Sequence, residues 1–123
     1  MSTKNQDLGS LGEEKAVKFL KNSGFQVRNT NWRHKHLEVD IIAQLEETLV
    51  FIEVKTRSNS YFGQPESFVN HKKQELLIRA ASAYLELFNL QNEVRFDVIS
   101  IIKEKTGKIV LNHIENAFYP SVY

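Results

Sequence analysis

Two apolar runs, Leu37–Ala43 and Leu49–Lys55, each carry charge where a dry interior is expected, and they lie close together in the chain. Their composition is that of strands, and the short Glu46-Glu47-Thr48 connection predicts a hairpin. In a strand, residues two apart share a face. Glu53 and Lys55 are therefore expected to project together, and so are Glu38 and Asp40 on the preceding strand. If the strands pair, three carboxylates and one ammonium meet inside the fold. Uncompensated buried charge is costly, so the arrangement needs a reward. A divalent cation held by the carboxylates, with Lys55 beside a water or a phosphate, supplies one.

At 123 residues the chain suits a single domain over 1–123, large enough to bury roughly two-thirds of its unfolded surface. The absence of cysteine excludes disulfides and thiolate metal sites, and fits a reducing compartment. The polar start, Met1-Ser-Thr-Lys-Asn-Gln-Asp7, lacks the apolar core of a signal peptide. No apolar run approaches the roughly 20 residues that span a bilayer. A cytoplasmic protein without a membrane partner is expected.

The net charge of +1 matters less than its placement. Arg28, Arg33, His34, Lys35 and His36 crowd the approach to the first carboxylates. Lys55 and Arg57 follow, then His71, Lys72, Lys73 and Arg79. Any one such run reads equally well as a solvated surface. Their coincidence with an acidic cluster favours a polyanion whose backbone must reach a bound metal.

Ser10-Leu-Gly-Glu13 matches a capping box and opens a helix through Ala16, Val17, Phe19 and Leu20, which Gly24 is placed to end. Strands are expected at Phe25–Trp32, Leu37–Leu45 and Leu49–Thr56. A loop from Ser58 to Asn70 contains Gly63 and Pro65. From His71, residues Leu76, Leu77, Ala80, Ala81, Tyr84, Leu85 and Phe88 form one apolar helical stripe, with Tyr84 read as core. Arg95–Ile102 and Ile109–Ile114 give two more strands around a turn at Lys105–Lys108. The order αβββαββ predicts a single α/β domain with a central sheet flanked by helices. Because the second helix can act as a crossover, the sheet is expected to be mixed.

Phosphodiester hydrolysis needs a nucleophilic water, neutralisation of phosphate charge and help for the leaving oxygen. Magnesium or manganese held by carboxylates can supply all three. Magnesium keeps several waters and uses only one or two carboxylates. Asp40 and Glu53 fit that role, with the Val54 backbone carbonyl as a third ligand and Lys55 orienting the water or stabilising negative charge. An arbitrary Glu-x-Lys strand is more often a salt bridge; here the placement after Asp40 and Glu38 favours a site.

At these residues the chain resembles the restriction-endonuclease-like superfamily, the PD-(D/E)xK nucleases. More closely, it resembles the YraN-type family of small bacterial proteins, which are similar to archaeal Holliday-junction resolvases. The resemblance spans Gly9-Ser-Leu-Gly12-Glu13 with Ala16, Asn31 and Arg33, Glu38-Val-Asp40, and Phe51-Ile-Glu-Val-Lys55 with Arg57. It continues through Lys73, Arg95-Phe-Asp-Val98 and Asn116-Ala-Phe118. Leu37 stands where the family's Gly-Glu-x-Asp usually has glycine.

The resemblance implies that Glu13 joins Asp40, Glu53 and Lys55, acting through metal-bound water. Glu38 matches the motif, with either a second metal or a pairing to Arg33 open to it. Asp97 is a supporting candidate, although a salt bridge with Arg95 is favoured. Gln74 is another, as a group that orients Lys55 or a substrate phosphate. Arg33, Arg57 and Lys73 are the expected phosphate contacts.

His34 and His36 invite a zinc reading, but no third and fourth ligand accompanies them at characteristic spacing. Trp32 is read as packing, while Tyr61 and Phe62 are equally open to packing and to base stacking. Gly9-x-x-Gly12 is too short for a nucleotide-binding loop and follows no strand. The leading expectation is a magnesium- or manganese-dependent nuclease acting on DNA, branched or single-stranded. Symmetric junction cleavage would require two active sites and hence a homodimer. The alternatives are a nuclease-like module that binds nucleic acid or a partner without cutting, and an assembly protein that contacts another protein or the ribosome.

Overall fold

The first helix, α1, runs Leu8–Asn22. Its N-cap is Asp7, whose carboxylate accepts the Ser10 N–H at 2.7 Å. The expected cap at Ser10 is therefore three residues late. Aspartate caps as well as serine, and its charge also complements the helix dipole. At the other end Gly24, at φ 92°, lets the Phe25 N–H reach the Leu20 carbonyl at 3.0 Å. The Gly24 N–H bonds to Lys21 in the same turn, which completes a Schellman stop.

The structure is a computed structural model and describes residues 7–58 and 69–120. Most of the expected Ser58–Asn70 loop, with Tyr61, Phe62, Gly63 and Pro65, lies outside the described residues. The strands are β1 (Gln26–His34), β2 (Leu37–Leu45), β3 (Thr48–Ser58), β4 (Glu93–Lys103) and β5 (Ile109–Ile114). Helix α2 (His71–Leu87) lies between β3 and β4, so the order is αβββαββ. The five strands form one sheet in sequential order, with β3 and β4 parallel and every other pair antiparallel. The mixed sheet follows from α2 acting as the crossover.

The two helices cover opposite faces of the sheet. Ala16 and Leu20 of α1 pack with Ile41, Val50, Ile52 and Ile99, whereas Leu77, Ala80 and Tyr84 of α2 pack with Val39, Leu49, Phe51 and Val98. β3 is thus buried on both sides, which explains its unbroken apolar run. Phe88 departs from the expected stripe. It caps α2 past its last turn and is half exposed, although its ring still touches Tyr84. No helix among the described residues is long and apolar enough to cross a membrane.

One irregularity positions everything that follows. Leu37 and Val39 belong to the α2-side core, but Ile41 and Ala43 belong to the α1-side core. The face switches at Asp40. Across the ladder, Thr30 pairs with Ile41 and Trp32 with Val39, and Asn31 between them has φ 52°. Asparagine tolerates this left-handed conformation better than most residues, and its turn of the chain re-aims both strands. Strict alternation therefore fails here, and the expectation that Glu38 and Asp40 share a face is corrected.

Candidate functional site

β2 and β3 stay paired from Leu45↔Thr48 only as far as Ile41↔Ile52. Beyond that point Asp40 and Glu53 flank the place where the two strands part. Asp40 bridges the opening: its Oδ2 accepts the Val54 N–H at 2.8 Å. A residue's N–H and C=O leave an extended strand on the same edge, so the Val54 carbonyl also faces the Asp40 side. The alternation of β3 carries Glu53, Lys55 and Arg57 onto the α2 face and Val54 onto the α1 face.

Glu53 is 4 % exposed. Its Oε2 meets Lys55 Nζ at 3.2 Å, and its Oε1 meets Lys73 Nζ, from the first turn of α2, at 3.7 Å. Burial, and then the Glu53 charge, push the Asp40 carboxyl up to about 6, against the Val54 N–H and the ammonium groups of Lys73 and Lys55. The Glu53 charge thus lies close enough to disfavour ionisation of Asp40.

Glu13 approaches from the opposite side of the sheet. A Cβ at Gly12 would overlap Thr56 Oγ1, so only glycine lets the α1 backbone seat against β3 at that height. That seat brings Glu13 near Asp40. Burial and the Asp40 charge raise the Glu13 carboxyl, while a hydrogen bond with Asn31 opposes them. An open groove of about 260 Å³ leads to this side, lined by Ser10, Glu13, Glu14, Val17, Thr30 and Asn31.

The structure therefore brings Asp40, Glu53, Val54 and Lys55 together at the gap and adds Lys73, while Glu13 approaches Asp40 from the other face. It does not gather Glu38, Gln74 or Asp97. Glu38 lies on the surface with Arg33, its cross-strand partner, at 3.6 Å. Gln74 donates its Nε2 to the Val69 carbonyl at 3.1 Å, which serves the start of α2 and not Lys55. Asp97 points to the α1 face, where Arg95 grips it with two nitrogens at 3.0 and 2.8 Å. There it also meets His113 Nε2 at 2.7 Å and the Asn116 N–H at 3.1 Å. Arg57 Nη1 reaches the Thr56 carbonyl at 3.0 Å. Trp32 and His34 stack beside the β1–β2 turn, with Trp32 packed edge-on against Tyr84.

Sequence reasoning missed the work of Asn31 and Gly12. Both belong to the residues that carry the family resemblance, and an asparagine inside a strand was the available signal for the first. Among the described residues no group of three or more His, Cys, Asp or Glu side chains is gathered as a cage for a metal. The donor set present is two carboxylates and a carbonyl, which matches the few protein ligands that magnesium takes.

The model of a family described as "Uncharacterised protein family UPF0102" matches residues 12–101, which include every member of the site. A UPF0102 protein of Bacteroides thetaiotaomicron is 45 % identical over 97 % of this chain and 98 % of its own. One from Alkaliphilus oremlandii is 47 % identical over 93 % of this chain and 99 % of its own. One from Flavobacterium psychrophilum is 44 % identical, covering 94 % and 96 %.

Proposed function

The chain belongs to the uncharacterised protein family UPF0102, and from the site it carries we propose that it is a divalent-metal-dependent nuclease. The observation that carries this reading is the Asp40–Glu53 gap. Two mutually repelling carboxylates are kept together where two strands part, and Lys55 shares the Glu53 face. A fold gains nothing from that repulsion unless a cation resolves it.

Asp40, Glu53 and the Val54 carbonyl would hold magnesium or manganese. When bound, such an ion supplies Lewis acidity and a readily ionised water. Lys55, in contact with Glu53 at 3.2 Å, meets negative charge developing on the phosphate. Glu13, raised toward its protonated form, is suited to accept or return a proton at the opposite mouth of the gap. Arg33, Arg57 and Lys73 contact neighbouring phosphates. The substrate is DNA, branched or single-stranded, in the cytoplasm. Cutting a junction symmetrically would take a homodimer.

The test is cleavage of junctions, flaps, single strands and RNA in magnesium or manganese. Wild type should cut at least one of them, and Asp40→Ala and Lys55→Ala should cut none while remaining folded. Failure on the whole panel would remove the nuclease reading. A second reading has its own support, because both Glu53 oxygens are already met by lysines. On that reading the domain binds nucleic acid or a partner without cutting. Salt-sensitive DNA binding that persists unchanged in Asp40→Asn, without metal uptake, would favour it.

A further inference from the structure

Glu53 has two oxygens and a different lysine on each. The two lysines are held in different ways. Lys55 lies two residues along the same strand, so its place beside Glu53 is fixed by strand geometry. Lys73 comes from another element, at the third position of α2. The backbone there is anchored: Asn70 Oδ1 accepts the Lys73 N–H at 2.9 Å, and the Gln74 N–H bonds to the Asn70 carbonyl at 2.9 Å. The adjustable part is the side chain. It is 33 % exposed, against 24 % for Lys55, and its contact with Glu53 is the longer one, 3.7 Å against 3.2 Å.

A divalent cation between Asp40 and Glu53 would bring two positive charges up to both ammonium groups. Even in full water screening, a like-charged pair about 4 Å apart shifts a binding constant about fivefold. One ammonium must give way, and the structure selects the one with slack. We propose that Lys73 is a displaceable internal counter-ion, which neutralises Glu53 in the metal-free protein and is expelled by the cation toward a substrate phosphate. This rests on the metal-dependent reading above and adds a linkage to it. The cation releases the lysine that grips the polyanion, so each ligand favours the other. Lys73 is in this sense a positioning residue.

The experiment is calorimetric titration of the full chain with manganese chloride, for wild type, Lys73→Gln and Lys73→Arg. A companion measurement is DNA affinity with calcium and without it. Lys73→Gln should bind manganese at least about fivefold more tightly than wild type, yet lose most of the calcium-dependent gain in DNA affinity. Lys73→Arg should stay close to wild type in both. A merely structural lysine would give weaker manganese binding on removal, and that result overturns the proposal. Equal manganese binding in wild type and Lys73→Gln overturns it too, while leaving the nuclease reading standing if cleavage persists. Tightening in Lys73→Arg as well would trace the effect to packing and refute the counter-ion. No manganese binding by any of the three removes both readings together.

Discussion

Asp97 and Asp40 lie within one sheet, and both lose water on folding, but the protein treats their charges in opposite ways. Around Asp97 every hydrogen-bond partner among the described residues is a donor: Arg95 twice, His113 and the Asn116 N–H. Burial pushes its carboxyl up, yet those bonds outweigh burial and hold it below the ordinary range. Around Asp40, among the described residues, the Val54 N–H makes the hydrogen bond, and the strongest neighbouring charge is another carboxylate. The first aspartate is compensated within the fold; the second is left raised by its neighbours. Burial of an acid is therefore no guide to function by itself. What distinguishes the two is whether the fold has already supplied the compensation.

Substrate cleavage separates the two regions most widely. Lys55→Ala should lower the cleavage rate by about 10²–10⁴-fold, while Lys73 still pairs the buried Glu53 carboxylate and keeps the protein folded. Asp97→Asn should cost stability but leave the rate per folded molecule near wild type. Single-turnover assays alongside thermal melts would show both. A matching loss of rate in Asp97→Asn would break the distinction.

For stability the order reverses. Asp97→Ala leaves Arg95, whose side chain is only 15 % exposed, with only the longer pair to Glu115 at 3.9 Å among the described residues, and removes the acceptor of His113 and Asn116. Breaking a buried pair in this way costs about 3–5 kcal/mol. Urea unfolding should show that loss with an unchanged slope. A loss below about 1 kcal/mol would mean that the node is not the structural partner of the comparison.

The same contrast between satisfied and unsatisfied acids sets what was legible in the sequence. Apolar alternation in β3 and the helical stripe of α2 are signals of period, and they located the elements because core burial rewards them directly. Pairing Asp40 with Glu53-Val54-Lys55 succeeded for the same reason, since charge in a buried strand stands out against its neighbours. The failures have local causes. Strand alternation puts Glu38 and Asp40 on one face, but the face switches beside Asn31, and no period reveals a single left-handed residue. Gln74 turns back to the Val69 carbonyl in the loop before α2, and Asp97 takes two of its partners, His113 and Asn116, from contacts distant in sequence. Arg95 was the exception, an i+2 neighbour whose pairing with Asp97 was readable.

pH should divide the two aspartates by sign. The Asp40 carboxyl is raised from 3.8 to about 6, so the folded chain holds that proton more tightly than the unfolded one. Its contribution to stability is present below 3.8 and is lost as pH rises through about 6. Asp97 is lowered from 3.8, so its contribution is present above that value and is lost as pH falls through its depressed one. Asp40→Asn should accordingly stabilise the metal-free protein by about 1–2 kcal/mol near neutral pH, after discounting for partial exposure. The gain should disappear as pH falls toward 3.8. Melting temperatures across that range check it, and a destabilised Asp40→Asn at neutral pH would contradict the strained-acid account.

Glu38 supplies the smallest effect and a useful third point between the extremes. It is neither compensated like Asp97 nor strained like Asp40, because its side chain is 56 % exposed and its partner Arg33 is 73 % exposed. Water already solvates both charges, so the pair at 3.6 Å contributes little. Glu38→Gln should change stability by less than about 0.5 kcal/mol. It also leaves Arg33 without a competing carboxylate. If Arg33 contacts phosphate, DNA should bind slightly more tightly at low salt, and the gain should fade as salt is raised. Filter binding over a salt series would reveal this. A loss of manganese affinity in Glu38→Gln would instead put Glu38 inside the metal site, and the division between strained and solvated acids would have to be redrawn around three carboxylates.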